Sequence, residues 1–134
     1  MFKQLHNQKS CYLVVGMHNS GTSLVGGLLN AAEVPMGNKL LMRNSIPENK
    51  RPSYDYFEDL DIVELQEEAL LLTKKHWSSY RGSFEFNQED TQKLEIFRRK
   101  LKDILVKRFE NTNIWMVKDP RIAIFIFDWI KVLD

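Results

Sequence analysis

Gly16, Ser20, Gly21, Thr22 and Ser23 lie behind the apolar run CYLVV and are the first residues whose types and spacing can do chemistry. In a phosphate-binding loop, backbone N–H groups converge on an anion and the following helix adds the positive end of its dipole. Small residues let the backbone come close. Here Gly16 starts the turn, and residues 20–23 bring backbone donors and three hydroxyls to a helix start. Against the triphosphatase pattern G-x-x-x-x-G-K-[ST], the two glycines are in register, but Thr22 stands where the lysine belongs. A triphosphatase uses that lysine on the outer phosphates. Without it, the loop suits a diphosphate-like group better than a magnesium-bound triphosphate.

The second group is KDPR, residues 118–121, behind the apolar NIWMV. Ligands of open α/β sheets bind at the carboxyl ends of strands, so Lys118 and Arg121 are placed to meet an anion. Structural roles compete with each of these readings. Ser20, Thr22 and Ser23 are also good helix caps. Lys118 and Arg121 can pair with Asp119 or with surface carboxylates. His18 reads as a loop-shaping residue. Trp115 and Trp129 read as core.

The elements that must hold these groups follow from pattern. Residues 11–15 read as a strand buried on both faces, as in a parallel sheet. Residues 22–32 read as a helix with Leu24, Val25, Leu28 and Leu29 on its apolar side. Gly26 and Gly27 weaken that helix in isolation and fit close packing against the sheet. Residues 33–54 carry Pro35, Gly37, Pro47 and Pro52 with a basic cluster of Lys39, Arg43, Lys50 and Arg51. They read as a long loop, solvated or gating a pocket. Helical spacing returns from about Phe57 to Lys75. HWSSYRGSFEFNQED is a connector. Residues 90–110 form the clearest amphipathic helix, with Leu94, Phe97, Leu101, Ile104, Leu105 and Phe109 on one face. Residues 113–117 read as a second buried strand, and IAIFIFDWIKVL as a helix opening at Pro120.

This order predicts an α/β fold: a three-layer, P-loop-like parallel sheet flanked by helices. Only two strands are convincing, and a two-stranded parallel sheet does not stand alone. The expectation is a single domain over 1–134, the N-terminal part of a larger fold and incomplete at its C-terminus. The alternative is completion by a second copy or a complementing chain. A sheet edge left open near residue 117 would suit a homodimer.

Bulk properties narrow the function classes. The chain has 134 residues, 43% hydrophobic and 28% charged, as in a globular domain. A net charge of +1 supplies no general attraction to nucleic acid or to an anionic membrane. Cys11 is the only cysteine, which leaves no internal disulfide. His6, His18 and His76 have no metal-ligand spacing, so no metal is expected. No run is long and apolar enough to span a bilayer. MFKQLHNQKS lacks the apolar core of a signal peptide, so the expected location is cytoplasmic.

Three segments, in order, resemble the sulfotransferase family. GMHNSGTSLVGGLLNAAEVPMG resembles the bacterial-type 5′-phosphosulfate loop, G-x-H-[RK]-S-G-T-[ST]. YDYFEDLDIVELQEEAL resembles the family's G-[YHW]-[FW]-E-x-x-x-[IV] helix start. WMVKDPRIAIFIFDWIKVL resembles its K-D-P-R strand end and following helix. Together they cover most of the chain from residue 11 onward. The resemblance implies transfer of a sulfuryl group from 3′-phosphoadenosine 5′-phosphosulfate, without a metal, to a hydroxyl or amine of a small-molecule or saccharide acceptor. It implies that His18, Asn19, Ser20, Gly21, Thr22 and Ser23 hold the donor's 5′ end. It implies that Glu58 is the general base that takes the acceptor's proton. Lys118 would act on the bridging and sulfuryl oxygens, and Arg121 would contact substrate. For Glu58, a first-turn glutamate complementing a helix dipole is the structural alternative, with Asp59 as a competitor.

Two departures stand out. Asn19 replaces the family's Lys or Arg, exchanging a charge-assisted bond for a neutral one about half as strong. The family's 3′-phosphate segment, with an Arg and a Ser, would begin beyond Asp134. Two other readings therefore stay open: a P-loop nucleotide or small-molecule kinase, and a truncated, non-catalytic ligand-binding domain.

Overall fold

A computed structural model describes residues 9–17, 19–51, 55–75 and 86–134. Among them the chain is mixed α/β. A short strand β1 (Ser10–Val14) leads through the loop into α1 (Thr22–Ala31). A two-residue strand β2 (Leu40–Leu41) pairs antiparallel with β3 (Glu58–Asp59). Helices α2 (Leu60–Leu72) and α3 (Gln88–Phe109) follow. Then come β4 (Ile114–Lys118), a 3-10 turn (Pro120–Ala123) and α4 (Ile126–Leu133).

The central pairing is β1 with β4, parallel, from Ser10 opposite Ile114 to Val14 opposite Lys118. Parallel neighbours need a crossover, and the three intervening helices supply one. The core lies on one side of this pair. Ile62, Leu65 and Leu70 of α2, Leu94, Phe97, Leu101 and Leu105 of α3, and Trp129 of α4 close around Trp115 and Val117 of β4. Phe109 stacks on Trp115 with ring centroids 4.4 Å apart, and Phe97 meets Phe125 at 4.8 Å. Trp129 satisfies its indole N–H inside this core by donating to Gln66 Oε1 at 3.2 Å.

Local chemistry explains the boundaries. Asn87 and Asp90 form a reciprocal cap that starts α3 two residues before the first expected position. Asp59 caps α2 through the N–H groups of Asp61 and Ile62, so that helix starts at Leu60 rather than near Phe57. Pro120 opens only the 3-10 turn, with Asp119 as its cap, and α4 begins at Ile126. Most of the 76–90 connector, residues 76–85, lies outside the described residues.

Three packing expectations change. The apolar side of α1 is not core: Leu24 and Leu28 are 69% and 63% exposed. Gly26 and Gly27 face Phe57 rather than the sheet, and a Cβ on Gly26 would lie 3.3 Å from Phe57 Cβ. The strand β1 is half exposed, with Tyr12 at 51%. Among the described residues, the open edge belongs to β1. Val117 is buried and Met116 N–H donates across to Pro35 O at 2.8 Å.

The asymmetry between the core and α1 predicts contrasting mutants. Leu101→Ala, at a site with no exposure, should lower unfolding free energy by about 3 kcal/mol. Leu28→Ala should change it by less than about 0.5 kcal/mol. Urea denaturation followed by circular dichroism reads both. A cost at Leu28 equal to that at Leu101 would show that α1 packs on its leucine face after all.

Candidate functional site

Gly16 sits where the chain leaves β1 and turns back on itself. A Cβ there would lie 2.8 Å from Ser20 Oγ and 2.9 Å from Thr22 Cγ2, so any side chain at this position would displace the Ser20 or Thr22 side chain. Asn19 and Gly21 both have positive φ, 60° and 90°, and Gly21 tolerates this without strain. The Ser20 hydroxyl donates to Met17 O at 2.5 Å and the Ser20 N–H to the same oxygen at 3.1 Å. Ser20 therefore shapes the loop rather than extending its hydroxyl outward. Gly21 is the N-cap of α1 without a side-chain cap, and its carbonyl accepts from Leu24 and Val25. The N–H groups of Gly21, Thr22 and Ser23 have no partner among the described residues. The first turn of α1 carries no acidic side chain. This is an open, positive helix end. His18 lies outside the described residues.

Register places the second group beside this loop. Lys118 pairs with Val14, so it stands level with the last strand residue before the loop. Its side chain is buried, 3% exposed, and Nζ donates to Glu58 Oε1 at 2.7 Å. Glu58 is 5% exposed. Asp59, not Glu58, caps α2, which leaves Glu58 turned toward Lys118. Lys118 Nζ also lies 5.9 Å from the centre of the Tyr56 ring.

Arg121 completes the cluster. Its Nη1 lies 3.0 Å from Asp119 Oδ1 and 3.6 Å from Glu58 Oε2, while Nε donates to Glu67. Thus Glu58 meets Lys118 and Arg121, about sixty residues further along the chain, at one place. Asp119 and Glu67 belong to the same cluster, and sequence reasoning assigned neither a site role. Glu67 carries no local signal, because its partner is on another element. Asp119 was legible only as a neighbour of the two cations.

The backbone that presents Glu58 is held on both sides. Phe57 adopts a positive φ of 58°, unusual for an aromatic residue, and its ring lies against Gly26 and Gly27 of α1. On the other side, Arg108 Nη2 donates to Asp59 Oδ1 at 3.1 Å and to Asp61, and its Nη1 donates to Asn38. Gly37, with φ 100°, passes so close that a Cβ would lie 2.5 Å from Asp59 Oδ2. The base candidate is therefore tied to α1, the helix that carries the loop, and to the last turn of α3.

Electrostatics in the cluster are strained. Burial pushes the Asp119 carboxyl up to about 6, with Glu58 adding to the rise and Arg121 opposing it. Its Oδ2 is buried with no hydrogen-bond partner among the described residues. Burial also raises Asp59, against the pull of Arg108. Burial works against the charge on Arg121, but Asp119 and Glu67 outweigh it and hold its pKa above the ordinary value. Burial pushes the Cys11 thiol up to about 12, so it stays protonated and is a poor nucleophile at neutral pH.

A groove of about 630 Å³ runs along the open edge of β1 to Ser20, Gly21 and Thr22, walled by Val25 and Leu29 of α1. A separate groove of about 390 Å³, lined by Cys11, Leu105, Phe109 and Trp115, lies away from the charged cluster. Among the described residues no group of three or more His, Cys, Asp or Glu side chains could hold a metal ion. Among them, also, no helix is long and apolar enough to cross a membrane.

The Asp119 shift sets the sign of a pH effect. The folded protein keeps this proton between pH 3.8 and about 6, where the unfolded chain loses it. The stability it contributes is full below that window and lost as pH rises through it, on the order of 3 kcal/mol. Asp119→Asn keeps the Oδ1 acceptor and removes the charge. Its unfolding free energy relative to wild type should rise by that amount between about pH 4 and pH 8. Asp59 titrates in both proteins and cancels in the difference. A flat difference in urea unfolding across that range would contradict the assignment.

Compared with protein-family models, with curated proteins and with solved structures, the chain matches none.

Proposed function

We propose that the chain is the donor-binding part of a sulfotransferase-like enzyme with a three-layer, P-loop-like architecture. It transfers a sulfuryl group from 3′-phosphoadenosine 5′-phosphosulfate to a hydroxyl or amine of a small-molecule or saccharide acceptor in the cytoplasm. The observation that carries this reading is the register that sets Lys118 opposite Val14, beside a loop whose helix-start N–H groups are open. This brings the backbone N–H groups and the α1 dipole close to the strand end that carries Lys118 and Arg121.

In this reading the N–H groups of Gly21, Thr22 and Ser23 hold the 5′-phosphate, with Asn19 adding an uncharged donor from an exposed loop position. Lys118 stabilises the charge that develops on the oxygen bridging phosphorus and sulfur. Arg121, fixed by Asp119 and Glu67, faces the acceptor side. Glu58 takes the acceptor's proton as its oxygen or nitrogen attacks sulfur and the sulfur–oxygen bond to the 5′-phosphate breaks. Thr22 in place of the triphosphatase lysine argues against a kinase.

Calorimetric titration tests this with 3′-phosphoadenosine 5′-phosphate, the donor's product form, and ATP–magnesium as the comparison. The bisphosphate should bind and ATP–magnesium should not compete. Gly21→Val, which forces a β-branched residue to φ 90°, should weaken binding by at least about tenfold. Ser20→Ala should weaken it less, about threefold, through the loop bond to Met17. Binding of ATP–magnesium alone would move the assignment to a kinase.

A further inference from the structure

The charges in the cluster already satisfy one another. Lys118 is taken by Glu58, and Arg121 by Asp119 and Glu67. Three carboxylates, Glu58, Asp119 and Glu67, face two cations. A site in this state offers an incoming dianion no surplus positive charge. Nor does it offer an acceptor a free base, since Glu58 Oε1 is 2.7 Å from Lys118 Nζ and both side chains are buried.

We infer that this conformation is the closed resting form of the site, in which the Glu58 carboxylate occupies the place on Lys118 that the donor anion must take. The inference rests on the sulfuryl-transfer reading. It adds an order of events: the donor displaces Glu58 from Lys118, and only then is Glu58 free to meet an acceptor. Exchange of one anion for another keeps the buried Lys118 ammonium compensated, whereas opening the pair without a donor leaves that ammonium unpaired; Glu58 has Arg121 Nη1 at 3.6 Å as a second cation. The base is thus withheld until the donor is present.

The segment that carries Glu58 can respond to the donor. Phe57 joins it to Gly26 and Gly27 on α1, the helix whose N-terminus would hold the donor phosphate. The positive φ at Phe57 is a strained joint beside the ion pair.

The test measures affinity for inorganic pyrophosphate, which needs the loop and Lys118 but no adenosine recognition. Glu58→Gln removes the competing charge, and Glu58→Asp keeps the charge but shortens its reach. Both should tighten pyrophosphate binding roughly tenfold, the worth of one charge-assisted bond. In a Lys118→Met background the effect of Glu58→Gln should vanish. That double variant loses both charges at similar volume and should remain folded. On the wild-type protein, the nuclear Overhauser contact between the Lys118 ε-methylene and Glu58 γ-methylene protons should disappear at pyrophosphate saturation.

Wild-type affinity in Glu58→Asp would overturn the inference. So would a Glu58→Gln gain that survives in Lys118→Met, since that is simple charge repulsion. A contact that persists at saturation overturns it as well. If pyrophosphate behaves as expected but the adenosine bisphosphate binds no better than pyrophosphate, the closed pair stands and the sulfuryl-donor reading falls. Absence of pyrophosphate binding in every variant removes both.

Discussion

The parallel pairing of β1 with β4 is the constraint on which the rest of the molecule depends. Parallel strands cannot be joined by a tight turn, so the chain between them must travel out and back. It does so as three helices, and α2 and α3, joined by α4, supply the apolar cover for one face of β4. The register of this pairing aligns the end of β1, where the loop begins, with Lys118 at the end of β4. A slip of one residue would turn Lys118 away from Glu58 and Val117 out of the core.

The cost of this arrangement is concentrated at the site. The core is conventional, with aromatic rings stacked and the Trp129 indole satisfied by Gln66. Around the site, Asp59 Oδ2, Arg108 Nε and Asp119 Oδ2 are buried with no hydrogen-bond partner among the described residues, as is Gln66 Nε2 in the core. Phe57 holds a left-handed backbone, and Gly37 must stay small to clear Asp59. Buried charge clusters seldom raise stability, because desolvation offsets the attraction. Their concentration on either side of Glu58 fits a segment kept in place for chemistry rather than for stability.

Much of the local structure was legible. The loop glycines, the helix at 88–109 and the strand at 114–118 all follow from periodicity and from caps encoded in adjacent residues. The chief misreadings concern faces. Leu24 and Leu28 have core-like spacing on α1, yet they are exposed, because β1 and β4 alone make too small a sheet to cover that helix. Gly26 and Gly27 were legible as a close-packing pair. That their partner is Phe57 was not, since nothing near either segment encodes the meeting. The hydroxyl of Ser20 looked like a ligand group by type, and its geometry turns it to Met17.

By itself the sequence determined the residue types that can meet an anion and the short-range geometry that presents them. A glycine where any side chain would displace its neighbours, an uncapped helix start and a strand ending in Lys118 are products of neighbouring residues, and local sterics and hydrogen bonds suffice to specify them. Only the tertiary structure decided the partners: Glu58 with Lys118, Arg121 with Glu67 and Asp59 with Arg108. Which charge meets which depends on the register of a parallel pair and on how the crossover helices pack over it. Those contacts join residues distant along the chain, and their energy exists only once the core has closed and excluded water.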